Sequence, residues 1–173
     1  MKTGVEKLTD VMAHFLGHTA IRLPDDVIAK LEELRDKEDH PLAKVIYRTM
    51  FRNQMLAEKL QRPSCQDTGV PQYWVRCGTA FPYINELEDL LREATIQATF
   101  ETPLRHNSVQ TFDEYNTGKN VGKGTPTVWW DIIPHSDQCE IYTYLSGGGC
   151  SLPGCATVLM PGEGYEGIVK FVM

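Results

Sequence analysis

Pro63 divides the chain into two kinds of pattern, and nothing else in the sequence constrains its fold as strongly. Before it, apolar residues recur every three or four positions, the spacing of a helix face. Val5, Leu8, Val11, Met12 and Phe15 predict a first amphipathic helix that Gly17 stops. Leu23-Pro24-Asp25-Asp26 reads as a second helix start, with Val27, Leu31 and Leu34 on one stripe. The charge run from Glu32 to Asp39 suits a solvated face. Pro41 opens a third helix, and Leu42, Val45, Ile46, Met50, Met55, Leu56 and Leu60 form the side expected to pack into a core. Arg62-Pro63 then forces an exit, because the residue before a proline disfavours helical backbone.

Beyond Pro63 come shorter segments separated by turns. Gln72-Tyr73-Trp74-Val75-Arg76-Cys77 has the aromatic and branched content of a strand, with Cys77 expected in the core as a small hydrophobe. Phe81-Pro82 with Ile84, Leu87, Leu91, Ala94 and Ala98 marks a fourth helix ending before Pro103. Two strands are predicted over residues 127–133 and 140–145. The short joining segment Pro134-His135-Ser136-Asp137-Gln138 suggests that they pair antiparallel, with His135 exposed at the tip. A last helix is expected from Pro161-Gly162-Glu163-Gly164 onward. The expected class is α+β: a helical N-terminal half followed by a mixed region of short strands and helices.

At 173 residues and 42% hydrophobic content, with neither low complexity nor a clear linker, residues 1–173 read as a single domain. The apolar finish at Phe171-Val172-Met173, with no cap or polar tail, suggests a domain truncated at its C-terminus. A formal charge of −6 without a basic run gives no footprint for nucleic acid. No stretch approaches membrane-spanning length, and residues 1–15 lack the apolar core of a secretory signal. Five cysteines (Cys65, Cys77, Cys139, Cys150 and Cys155), an odd number, suit reduced thiols and a cytoplasmic location.

The candidate chemistry sits first in Arg62-Pro63-Ser64-Cys65-Gln66-Asp67-Thr68-Gly69. That loop sets a soft metal ligand beside an amide and a carboxylate. Other motifs are weaker. His14 and His18 share a helix face without a third zinc ligand nearby. Cys150 and Cys155 stand five apart without a second pair. The segment Asn116-Thr117-Gly118-Lys119-Asn120 is turn-rich but lacks phosphate-loop spacing. Arg105, read alone, is a surface charge. Gly147-Gly148-Gly149 is equally a tight bend or a place where backbone N–H groups approach a ligand.

Taken together, the Cys65 loop, Pro103-Leu104-Arg105-His106-Asn107, Asn116-Thr117-Gly118-Lys119-Asn120 and Gly147-Gly148-Gly149-Cys150 resemble the iron–sulfur hydro-lyases of the class I fumarase and L(+)-tartrate dehydratase group. The segments Trp130-Asp131-Ile132-Ile133-Pro134 and Met160-Pro161-Gly162-Glu163-Gly164-Tyr165-Glu166-Gly167 extend the resemblance along nearly the whole chain. It implies an incomplete N-terminal catalytic domain of that type and a [4Fe-4S] cluster held by three cysteines. Cys65 matches the first ligand; Cys77, Cys139, Cys150 and Cys155 do not match the other two. It further implies Gln66 and Asp67 beside the substrate, Arg105 on a substrate carboxylate, and Gly149 against substrate or cluster, with Asp67 and Arg105 as the catalytic residues. The implied reaction dehydrates a 2-hydroxydicarboxylate, L(+)-tartrate to oxaloacetate and water, with fumarate hydration as the alternative. A separate β subunit is the implied partner, in a hetero-oligomer. The reading from another class is a non-catalytic fragment that only docks a further subunit.

Overall fold

In a computed structural model, residues 2–110, 112–151 and 154–173 are described, Cys150 and Ser151 by their backbone alone. The first half is helical: α1 (Gly4–Ile21), α2 (Asp25–Lys37) and α3 (Pro41–Leu60). The second half carries β1 (Val70–Gly78), α4 (Leu87–Glu101), β2 (Thr127–Ile133), β3 (Cys139–Ser146), the short α5 (Gly148–Ser151) and α6 (Gly164–Val172). This mixture of helix and sheet agrees with the expected α+β class. No helix among the described residues is long and apolar enough to cross a membrane.

Thr3 starts α1 with a capping box. The Glu6 N–H donates to Thr3 Oγ1 at 3.2 Å and the Thr3 N–H donates to Glu6 Oε2 at 2.7 Å, so two otherwise orphaned donors are satisfied reciprocally. Gly17 does not end the helix. It is buried, and a Cβ there would fall 2.3 Å from Thr102 Oγ1, so the glycine lets α1 approach the end of α4 closely. His18 accordingly lies inside the last turn, with its carbonyl accepting from the Arg22 N–H. The fourth helix begins later than its apolar stripe suggests, because residues 82–86 form turns.

The sheet corrects the expected pairing. β2 and β3 do not pair with each other; β1 lies between them in the order β2-β1-β3, parallel to β2 and antiparallel to β3. The segment joining β2 to β3 therefore bridges the central strand, and exposed His135 takes φ +59° within it. Inward-facing Tyr73, Val75 and Cys77 of β1 are fully buried under α1 and α4. Leu16, Leu87 and Leu91 close over them, each contributing about 1.5–3 kcal/mol by leaving water. The opposite sheet face stays open, with Trp74 and Trp129 stacked at 6.5 Å beside an Arg76–Asp131–Glu140 ion cluster.

The expected core side of α3 is also corrected. Ala57 is its one buried residue, and Leu42, Val45, Ile46, Met50, Met55, Leu56 and Leu60 are all exposed. Neither α2 nor α6 has a buried residue. The helical spacing of these segments is right, but among the described residues α1 and α4 alone form the helical layer over the sheet.

Candidate functional site

The loop after α3 is fixed at both ends. Gln61 leaves the helix in the left-handed region at φ +51°. Ser64 then ties the chain to the end of α1, its N–H donating to the Ala20 carbonyl at 3.0 Å. Asn53, one helical face back on α3, donates from Nδ2 to the Ser64 carbonyl at 2.6 Å. At the far end, Thr68 is buried and its Oγ1 accepts the Arg105 N–H at 2.9 Å. Gly69 has φ +88°, and a Cβ there would lie 2.7–2.8 Å from backbone atoms of Leu145, Ser146 and Gly147. Glycine alone fits that crossing.

Between these anchors Cys65 and Gln66 are exposed. They line a groove of about 340 Å³ together with Asn53, Thr68, Pro103 and Arg105. Residues as far apart in sequence as Asn53 and Arg105 thus meet on one surface. A more enclosed hollow of about 190 Å³ lies between α2 and α3, but Leu23, Ile28, Leu31, Met50 and Phe51 dominate its wall and it contains no titratable group. The groove at Cys65 is more open and is lined by a thiol, two amides and a guanidinium.

Asp67 takes a different direction. Its Oδ2 accepts the Gly149 N–H at 2.9 Å, and a Cβ on Gly147 would stand 3.1 Å from the same oxygen. The glycine triplet therefore receives a carboxylate of this chain, through the backbone approach that glycine permits. Asp67 and Gly149 are joined to each other, on the side of the loop facing β3's exit, and are not among the residues lining the groove. Among the described residues no carboxylate pairs with the Arg105 guanidinium.

The thiols separate into two environments. Cys65 and Cys155 are exposed, whereas Cys77 is fully buried and faces Cys139 across β1 and β3. Burial pushes the Cys139 thiol up to about 12, with Cys77 opposite adding to the shift. The Cys139 thiol is thereby suited to stay protonated. The Cys150 side chain lies outside the described residues. Among the described residues no three His, Cys, Asp or Glu side chains converge to hold a metal. His14 and His18 are both exposed on α1. For an iron–sulfur cluster the donor chemistry of Cys65 fits, an exposed thiol beside an amide and a guanidinium, but it supplies one ligand of a set these residues do not complete.

Two participants were not singled out from the sequence. Thr68 enters the sequence reading only within the Cys65 loop, and Asn53 does not enter it. Their hydrogen bonds become visible only once α3 and the segment after Pro103 are brought together, since no local pattern links positions 53, 64, 68 and 105.

The family profile described as Fumarate hydratase (Fumerase) matches residues 9–173. L(+)-tartrate dehydratase subunit alpha of Escherichia coli strain K12 is 53% identical over 168 residues, covering 97% of this chain and 55% of that protein. The same subunit from E. coli O157:H7 is 52% identical over the same length and coverage. A Methanocaldococcus jannaschii protein that carries this name provisionally is 33% identical over 170 residues, covering 96% of this chain and 60% of its own length. The chain thus spans little more than half the length of the curated relatives it matches.

Proposed function

The chain belongs to the fumarate hydratase family, and on that premise we propose that it is part of an iron–sulfur hydro-lyase that dehydrates L(+)-tartrate to oxaloacetate and water. The observation that carries this reading is the meeting of Cys65, Gln66 and Arg105 on one groove. The 53% identity to an L(+)-tartrate dehydratase alpha subunit supports the choice of substrate. In this reading residues 1–173 act as one domain of the catalytic subunit.

Arg105 binds a substrate carboxylate, for which a guanidinium offers a two-point fork. Gln66, lining the same groove, hydrogen-bonds the substrate. Asp67, next in sequence to Gln66 but turned to the Gly149 N–H and not lining the groove, tunes or assists removal of the proton from the carbon next to the departing hydroxyl. The C–O bond breaks with loss of water, and the enol product tautomerises to the keto acid. Cys65 contributes one thiolate to a [4Fe-4S] cluster, a group that supplies Lewis acidity toward a hydroxyl leaving group when bound. A β subunit completes the enzyme, consistent with the name "subunit alpha" of the relatives. A reducing cytoplasm suits its exposed thiols. A second reading, fumarate hydration, is favoured by the family's own description.

The deciding measurement uses the complete enzyme with its partner subunit, reconstituted anaerobically with iron and sulfide. Turnover of L(+)-tartrate in preference to fumarate is expected. In the Cys65→Ser variant the charge-transfer absorption and the turnover are both expected to disappear. Activity on fumarate alone would transfer the assignment to the second reading, and unchanged absorption in Cys65→Ser would remove Cys65 from the cluster.

A further inference from the structure

The segment at residues 116–120 has no role in the chemistry above, yet it holds the chain that carries Arg105. We propose that Asn120 is a positioning residue that sets the Arg105 guanidinium for its substrate carboxylate. This rests on the assignment of Arg105 to the substrate.

Asn120 is fully buried at the centre of a side-chain network. Its Nδ2 donates to the Arg105 carbonyl at 2.9 Å and to Thr99 Oγ1 at 3.2 Å, while its Oδ1 accepts the Asn107 N–H at 2.7 Å. Three of the four hydrogen bonds available to an amide side chain are thus directed at one short stretch and at the helix behind it. Thr99 in turn donates to the Thr95 carbonyl within α4, which anchors the network to the core. The backbone at Asn120 has φ +55°, in the left-handed region where asparagine is one of the few side chains at ease.

Arg105 is therefore gripped from two sides. Its N–H is held by Thr68 of the Cys65 loop, and its carbonyl by Asn120. Asn116 adds a third hold one residue on, donating from Nδ2 to the His106 carbonyl. A flexible arginine side chain gains directional precision only if its backbone is fixed, and here both backbone polar groups are taken by buried side chains. In contrast, its guanidinium remains exposed at the groove. This arrangement suits a cation that must meet a small dicarboxylate at a set distance from Cys65.

The test is a double-mutant cycle in the complete, cluster-loaded enzyme. Asn120→Asp keeps the shape, the tolerated backbone and the acceptor for Asn107, but an ionised carboxylate donates nothing to the Arg105 carbonyl. KM for L(+)-tartrate is expected to rise about tenfold in Asn120→Asp, with kcat changed less than about threefold. Arg105→Ala should raise KM further, and the double variant should match Arg105→Ala alone, because Asn120 acts through Arg105. Amide hydrogen exchange at residues 105–107 should accelerate in Asn120→Asp without a change at β1. Should Asn120→Asp fail to fold, Asn120→Gly, which keeps the left-handed backbone and removes the same donor to the Arg105 carbonyl, carries the same cycle. Fully additive effects, or unchanged exchange at residues 105–107, would overturn the role of Asn120 and leave the site reading intact. An Arg105→Ala variant with unchanged KM would instead overturn the assignment of Arg105 itself.

Discussion

Tyr73 shows how a residue unconnected with the chemistry sets the conditions under which the site survives. It is fully buried beneath α4, its hydroxyl hydrogen-bonded to Thr95 Oγ1 at 2.9 Å, and burial pushes its pKa up to about 12. The Cys139 thiol is raised in the same direction. A group whose pKa is higher in the folded state loses its proton more readily when unfolded. The folded state is thus favoured in full below about pH 9 and loses that advantage as pH climbs toward 12. Tyr73 accounts for at most about 3 kcal/mol of that loss. Tyr73→Phe is expected to cost about 1 kcal/mol at neutral pH and to flatten the alkaline limb, as measured by urea unfolding across pH 7–11. At this scale the sequence was informative about chemical type and silent about partners. Cys77 was legible as a core residue because it ends an alternating strand. Thr68 and Asn120 were not, because their partners come from segments 37 and 15 residues away.

At the scale of elements, α2, α3 and the three strands were read close to their observed bounds, since periodicity and proline placement are local properties, whereas the end of α1, the start of α4 and the short α5 were not. Which elements share a sheet was not legible. Adjacent strands with a short connection are expected to form a hairpin, yet β1 separates β2 from β3, and its fully buried inner face suits the central position. Gly69 marks where this topology meets the site, as the chain enters β1 under the end of β3. Gly69→Ala would combine a disfavoured left-handed backbone with a Cβ inside van der Waals range of three backbone atoms. The expected cost is about 1–3 kcal/mol, read as a lower Tm. A displacement of the Cys65 loop should accompany it, read as altered reactivity of the exposed Cys65 thiol toward a maleimide relative to Cys155. An unaltered Tm would show that the crossing can widen freely.

For the molecule as a whole, one layer of two helices on one sheet face leaves much apolar surface in solvent. The outer sheet face shows Trp74, Trp129, Tyr142 and Tyr144, the long α3 buries only Ala57, and α6 exposes Ile168, Val169 and Phe171. Patches of this extent favour association, so the 173-residue chain by itself is expected to bind a hydrophobic dye and to self-associate in sedimentation velocity. A monodisperse monomer without dye binding would contradict this. The central position of β1 has a further consequence, in time rather than in space. Its partners lie far along the chain: Gln72 pairs with Thr127, 55 residues on, and Val70 with Ser146, 76 residues on. Such distant pairings form late, after the local helices. The Cys65 loop leads directly into that strand, and Gly69 and Asp67 need the end of β3 and the glycine triplet to settle against. A nascent chain would therefore carry its exposed Cys65 thiol on a loose loop until about residue 150 has emerged from the ribosome, and the site would be among the last parts of this chain to take shape.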